Sequence, residues 1–130
     1  MPPRRRTDPD AGRAAVRAWL TDPGLVDRST LGVAVRWTLE QLADAVPGRS
    51  VEVRVPPFGV VQCVEGPRHT RGTPPNVVET DPATWLALAT GRLTWAQAVT
   101  EGRVSASGQR ADLTGALPVA AAAALGTVEP

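Results

Sequence analysis

The stretch that decides the fold of this chain is LATGRLTWAQAVTEGRVSASG, residues 88–108. Glycines divide it into the end of an apolar helix, a short helical piece and an alternating segment. Thr94 and Gln97 have the spacing of a capping box, which starts a helix through two reciprocal side-chain hydrogen bonds. The alternation after Gly102 is typical of a strand with one face toward solvent. The stretch contains no histidine, cysteine or paired carboxylates, so its order predicts a scaffold around a cavity and not a catalyst.

Two helices are predicted before the strands. Asp8 followed by Pro9 is a helix-start signal, and the TDPG at residues 21–24 ends this first helix. Ser29 is the predicted cap of the second helix, which Pro47-Gly48 ends. Apolar residues recur along it at three- and four-residue spacing, namely Leu31, Val35, Leu39, Leu42 and Val46. This stripe predicts that one face of the second helix packs against a core.

Three short strands are predicted next. The valines of VEVRV, residues 51–55, alternate with charged residues, and VVQCV, residues 60–64, follows the turn PPFG. Residues 50–65 therefore predict a hairpin, and NVVET, residues 76–80, predicts a third strand. Asp81-Pro82 then repeats the helix-start signal. Two leading helices followed by a small sheet and further short helices predict an α+β fold.

The length of 130 residues corresponds to one domain. We expect a flexible basic tail over residues 1–7, one domain over residues 8–125 and a C-terminal tail over residues 126–130.

Composition excludes several kinds of partner. The net charge of +1 argues against nucleic acid as a partner. All 14 basic residues are arginine, which is typical of GC-rich bacterial coding sequence of the actinobacterial type. The longest apolar run, residues 117–125, is far shorter than the ~20 residues of a spanning helix. We therefore expect no stable membrane insertion and a cytoplasmic location.

No catalytic or metal-binding constellation is predicted. A single cysteine cannot form an internal disulfide, and with a single histidine it leaves a zinc ion short of its usual ligands. Cys63 lies in an apolar strand pattern, which is typical of a buried cysteine. His69 is accompanied by no G-x-S-x-G motif. We expect no enzyme activity, no metal and no cofactor.

The polar loop GPRHTRGTPP, residues 66–75, is the candidate site for an anionic head group. Arg68, His69 and Arg71 carry donors of the kind that bind phosphate or carboxylate. The alternative is a solvated turn rich in glycine and proline. The sequence leaves both interpretations open.

Four tryptophans dominate an aromatic-poor chain: Trp19, Trp37, Trp85 and Trp95. All four lie on predicted helices, where each can bury on the order of 200 Å² of surface. Core packing explains most of them, and lining an apolar cavity is the functional alternative. Trp95 is the strongest candidate for a ligand contact because it begins a short helix, where a core residue is less expected.

The string WLALATGRLTWAQAVTEGRVSASGQRADLTGAL, within residues 83–117, resembles the closing half of the sterol carrier protein (SCP) family. The resemblance rests on the order of two Gly-Arg-apolar turns, at Gly91 and Gly102, around a short helix containing Gln97-Ala98. An alternating strand and Gly108 complete it. The likeness extends weakly over residues 29–117. Trp95 departs from the family, which more often has proline there.

This resemblance implies a small, mostly antiparallel, twisted sheet of four to five strands, covered on one face by short helices. It also implies an apolar tunnel between the helices and the sheet that binds a fatty acyl chain, an acyl-CoA or a sterol-like lipid. The candidate lining residues are Val53, Val55, Trp85, Leu88, Trp95, Val104, Leu113 and Leu117. The alternative is an accessory subunit with a filled core that docks a protein partner, related to SCP-like domains appended to bacterial enzymes.

Overall fold

The computed structural model describes residues 6–66 and 76–126. These residues form an α+β fold with two N-terminal helices, as predicted. Short 3₁₀ turns occur at Pro23–Leu25 and Ala124–Gly126. The remaining elements in chain order are α1 Pro9–Thr21, α2 Arg28–Ala45, β1 Val51–Val55, β2 Gly59–Cys63, β3 Val77–Thr80, α3 Pro82–Thr90, α4 Trp95–Thr100, β4 Val104–Ser107 and α5 Ala120–Ala123.

The helix starts follow the predicted signals with one exception. Asp8 and Asp81 cap α1 and α3, each with proline at the first helical positions. The prediction that Ser29 caps α2 is wrong, because the carboxylate of Asp27 accepts from the backbone N–H of Thr30 at 2.7 Å. That hydrogen bond also holds the pKa of Asp27 below its ordinary value.

The four strands lie in the order β2-β1-β3-β4. The β1–β2 hairpin and the β3–β4 pair are antiparallel, whereas β1 and β3 are parallel. The predicted hairpin is confirmed, and the alternation of β1 places its valines in the core and its charged residues partly in solvent. The sheet is thus mostly antiparallel and packs one face against helices.

The core lies between the inner face of the sheet and helices α1 to α3. Gly12 of α1 is required where the two N-terminal helices meet, because a Cβ atom there would lie 2.2 Å from Cγ of Trp37. Trp85 of α3 is fully buried, and its indole N–H donates to the Thr38 hydroxyl of α2 at 2.8 Å. That hydroxyl in turn donates to the Ala34 carbonyl at 2.8 Å. The buried indole is therefore satisfied by a helix side chain.

The C-terminal segment does not form the helix that its apolar spacing predicts. Four-residue spacing from Leu113 to Leu117 predicts a helix, but these residues form turns and the α5 helix begins at Ala120. Pro118 has no backbone N–H to continue a helix. The segment is instead anchored by the N–H of Val119, which donates to the Ala89 carbonyl at 2.9 Å. Both Val119 and Ala122 are buried in the core.

Candidate functional site

An apolar cavity of about 300 Å³ lies between the start of α4 and the turns that precede α5. This volume is at the lower end of the range for small-molecule sites. This cavity is more enclosed than the two other cavities described below. Its lining residues are Gly91, Leu93, Thr94, Trp95, Ala96, Thr114, Leu117 and Pro118.

One wall of the cavity is the turn between α3 and α4. Gly91 ends α3 with a φ of 86°, in the left-handed region that glycine enters without strain. The N–H of Leu93 then donates to the Ala87 carbonyl at 3.1 Å, which folds the turn back onto α3. This backbone geometry directs the chain into the start of α4.

The predicted capping box is confirmed and positions Trp95. The Thr94 hydroxyl accepts from the Gln97 backbone N–H at 3.1 Å, and the Gln97 side chain accepts from the Thr94 N–H at 2.9 Å. Trp95 is the first residue of α4 and is 8% exposed. Because both bonds fix the first turn, the indole has a defined place on the cavity wall.

The opposite wall is built by turns that follow β4. The backbone N–H groups of Ala116 and Leu117 both donate to the Leu113 carbonyl, at 2.9 and 3.1 Å. Thr114 is held by Asp112, whose carboxylate accepts from the Thr114 hydroxyl at 2.6 Å and from its N–H at 2.8 Å. Both hydrogen bonds hold the pKa of Asp112 below its ordinary value, and the bond from the Thr114 hydroxyl has the larger effect.

The cavity offers apolar contacts and little polar chemistry. None of its lining residues is charged. Its two threonine hydroxyls are engaged, Thr94 as the α4 cap and Thr114 as a donor to Asp112. Such a lining suits an apolar ligand, whose binding is driven by the removal of apolar surface from water.

The structure brings two of the eight predicted lining residues, Trp95 and Leu117, together at this cavity. Five others are core residues exposed by no more than 1%: Val53, Val55, Trp85, Leu88 and Leu113. Val104 is half-buried and lines a different cavity. Arg68, His69 and Arg71 lie outside the described residues.

The cavity beside Val104, of about 380 Å³, is lined by several polar and charged residues, and two of them, Thr80 and Asp81, have structural roles. The Thr80 hydroxyl donates to the Arg103 carbonyl at 2.7 Å. Asp81 is the α3 cap and accepts from the N–H and the hydroxyl of Thr84, both at 2.8 Å. Burial acts most strongly on Asp81 and raises its pKa, but the hydrogen bonds from Thr84 and the charge of Arg103 together keep that pKa below its ordinary value.

A third cavity, of about 450 Å³, lies over the hairpin on the solvent face of the sheet. It combines Phe58 and the adjacent prolines with the ion pair of Arg54 and Glu52, whose Nε and Oε2 atoms are 2.5 Å apart. Val60 on its rim is 51% exposed. This cavity is open and partly charged, so it suits an apolar ligand less well than the cavity at Trp95.

Cys63 is fully buried at the end of β2, as its sequence pattern predicts. Burial raises the pKa of its thiol to about 11. The thiol is therefore protonated at neutral pH and is not a nucleophile. Among the described residues, no group of three or more His, Cys, Asp or Glu side chains is placed to hold a metal ion.

Six lining residues of the cavity are not among those predicted from the sequence: Gly91, Leu93, Thr94, Ala96, Thr114 and Pro118. The signal for Leu93 was present, because it follows the glycine that ends α3 and precedes the capping box. No local sequence pattern places Pro118 at the cavity, because its contact with the turn at Gly91 joins segments 27 residues apart in sequence. A Cβ atom on Gly91 would lie 3.6 Å from Pro118, an ordinary packing distance.

No helix within residues 6–66 and 76–126 has the length and hydrophobicity needed to cross a membrane. A search of curated proteins found no match. Residues 27–119, more than half of the chain, match the family described as bacterial SCP ortholog. The chain therefore belongs to the bacterial SCP family.

Proposed function

We propose that this member of the bacterial SCP family is a carrier that binds a hydrophobic small molecule in the cavity at Trp95. The ligand class is a fatty acyl chain, an acyl-CoA or a sterol-like lipid, bound in the cytoplasm without a cofactor and without chemical change. The observation that carries the proposal is an apolar cavity whose wall includes a nearly buried tryptophan and no charged side chain.

The expected affinity follows from buried area. Removing roughly 400 Å² of apolar ligand surface from water contributes about 10 kcal/mol at ~25 cal/mol per Å². Association subtracts at least about 4 kcal/mol. The remainder, at most about 6 kcal/mol, corresponds to a dissociation constant of tens of micromolar or weaker. A much tighter ligand would require the turns around Pro118 to move and enlarge the cavity.

The second candidate function is an accessory subunit that docks a protein partner. It is favoured by the complete burial of five predicted lining residues, which fill the space between helices and sheet. In that case the cavity at Trp95 is a surface depression without a ligand of its own.

Delipidated protein distinguishes the two functions. Native mass spectrometry with palmitate, palmitoyl-CoA and a sterol reports binding directly, and displacement of a fluorescent fatty acid gives the affinity. Ligand bound at the cavity changes tryptophan emission, and Trp95→Phe should remove most of that change. Trp19→Phe is the matched control, because Trp19 is 5% exposed on α1 and is not among the lining residues.

Leu117 lies on the opposite wall of the cavity. If the ligand binds there, Leu117→Trp should also abolish binding, because the larger side chain occupies the cavity. Failure of all three ligands to bind native protein would reject the carrier function and favour the accessory subunit. Binding that neither Trp95→Phe nor Leu117→Trp alters would place the ligand elsewhere.

A further inference from the structure

The β4 strand is an edge of the sheet, and the hydrogen-bond pattern shows which of its backbone groups face outward. The N–H of Glu52 donates to the Asn76 carbonyl at 2.8 Å, so Asn76 and, by alternation, Val78 direct their backbone groups toward β1. Val77 and Glu79 must then direct theirs toward β4.

The partners of Val77 and Glu79 on β4 are Ser107 and Ser105. These serines therefore bond to β3, and the N–H and C=O groups of Val104 and Ala106 point away from the sheet. The hydroxyl bond from Thr80 to the Arg103 carbonyl agrees with this alternation. In the described part of the chain, no backbone or side-chain hydrogen bond reaches the outward groups of Val104 and Ala106.

Within residues 6–66 and 76–126, this edge lacks the usual protection against pairing. Natural edge strands carry charged side chains, proline or a bulge, or are covered by another element. The strand Val104–Ser107 has the sequence VSAS, and three of its four residues are exposed. Its small, uncharged side chains leave the outward backbone groups accessible to another strand.

We propose that the β4 edge pairs with the β4 edge of a second copy of this chain, forming a two-fold symmetric, antiparallel dimer with one continuous eight-stranded sheet. This inference is independent of the proposed function. The two-fold axis passes at Ser105, so Val104 of one copy lies opposite Ala106 of the other, and the reverse. Because both residues face outward, each such pair exchanges both of its N–H···O=C bonds.

The charges near β4 favour this register over one with the axis at Val104. With the axis at Ser105, Arg103 lies opposite Ser107 of the second copy, and the two Arg103 residues are offset by four positions, about 13 Å at ~3.3 Å per residue. That separation exceeds the Debye length of about 8 Å at physiological salt. An axis shifted by one residue to Val104 would bring the two arginines within about 7 Å along the strand.

The dimer is expected to be weak. One short strand per copy buries less than the ~1,600 Å² of a standard interface. The association should therefore depend on concentration in the micromolar to millimolar range. Sedimentation velocity of the full chain up to about 1 mM should show the mass rising from 13.6 kDa toward twice that value.

Ala106→Pro tests the backbone pairing, since it removes an outward N–H and leaves the hydrogen bonds to β3 in place. It should raise the dimer dissociation constant more than tenfold. Val60→Pro is the matched control. By the same alternation, Val60 directs its N–H outward at the opposite edge, on β2, and this variant should dimerise like the native chain. Circular dichroism confirms that both variants fold.

A pair of substitutions at Ser107 tests the register without proline. Ser107→Glu places a carboxylate opposite Arg103 of the second copy and should tighten the dimer several-fold, whereas Ser107→Arg should weaken it. Native protein that remains at 13.6 kDa throughout overturns the proposal. A dimer that Ala106→Pro leaves intact, or that the two Ser107 variants affect equally, overturns it as well.

Discussion

Thr38→Val isolates the hydrogen bond that fixes Trp85 in the core. The substitution keeps the shape of the side chain and changes helix propensity little. It removes the hydroxyl that accepts from the Trp85 indole N–H at 2.8 Å in the native chain. The Ala34 and Val35 carbonyls that lose the Thr38 hydroxyl are helix carbonyls with backbone donors of their own. The principal cost is therefore one buried, unsatisfied N–H.

An orphaned buried donor costs about 1–3 kcal/mol. At roughly 4 °C per kcal/mol for a domain of this size, the melting temperature should fall by about 4–12 °C. Urea unfolding monitored by circular dichroism gives the free energy of unfolding directly. Ligand binding should be unchanged, because Thr38 and Trp85 do not line the cavity at Trp95.

Thr90→Val is the matched control. Thr90 is also buried in a helix, and its hydroxyl donates to the Leu86 carbonyl at 2.7 Å, but no side-chain donor of the residues that the structure describes depends on it. Its cost should be clearly smaller than that of Thr38→Val. A double-mutant cycle with Trp85→Phe should give a coupling energy of about 0.5–3 kcal/mol. A loss for Thr38→Val no larger than that for Thr90→Val would refute the account of Trp85 as a core anchor.

Three further predictions concern the packing, the caps and the loop. Gly12→Ala should gain up to ~1 kcal/mol of helix propensity but lose about 1–3 kcal/mol or more to the clash with Trp37, a net destabilisation by thermal unfolding that Trp37→Leu should relieve. The pKa of Asp27 is lowered in the folded state, so its contribution to stability is present above the unfolded pKa and is lost as pH falls through the folded pKa. Urea unfolding of the native chain and of Asp27→Asn between pH 7 and pH 2 measures this contribution. Equal pH dependence of the free energy of unfolding in both proteins would contradict the prediction. If the loop binds an anionic head group, Arg68→Ala with Arg71→Ala should weaken palmitate by about 1.5–3 kcal/mol per lost charge-assisted bond and a sterol far less, whereas equal losses in displacement assays would mean that the loop is structural.

The sequence by itself determined the features that depend on neighbouring residues. The Asp-Pro starts of α1 and α3, the Thr94–Gln97 capping box and the alternation of β1 are all confirmed, because each is satisfied within a few residues. Their order along the chain was sufficient for the α+β class and for the family resemblance. Local pattern also singled out Trp95, which lines the cavity before α5, and its contact with a ligand stays a prediction.

Tertiary structure decided what depends on segments distant in sequence. Arg36 and Glu40 have the spacing of a helix ion pair, yet the Glu40 carboxylate accepts from the backbone N–H and the hydroxyl of Thr7. The fit of Trp37 onto Gly12 required the crossing of α1 and α2, which no periodicity encodes. A local choice can thus be overridden when a distant group supplies a better partner.

The candidate cavity illustrates the same division. Its α4 wall was predictable because the capping box is local, but its other wall depends on the Val119 N–H reaching the Ala89 carbonyl, 30 residues earlier. Which apolar residues line a cavity and which fill a core depends on how closely elements approach one another. That approach is set by the summed packing of all elements, so alternation and spacing identify Val53 and Trp85 as inward-facing but cannot separate a lining residue from a core residue.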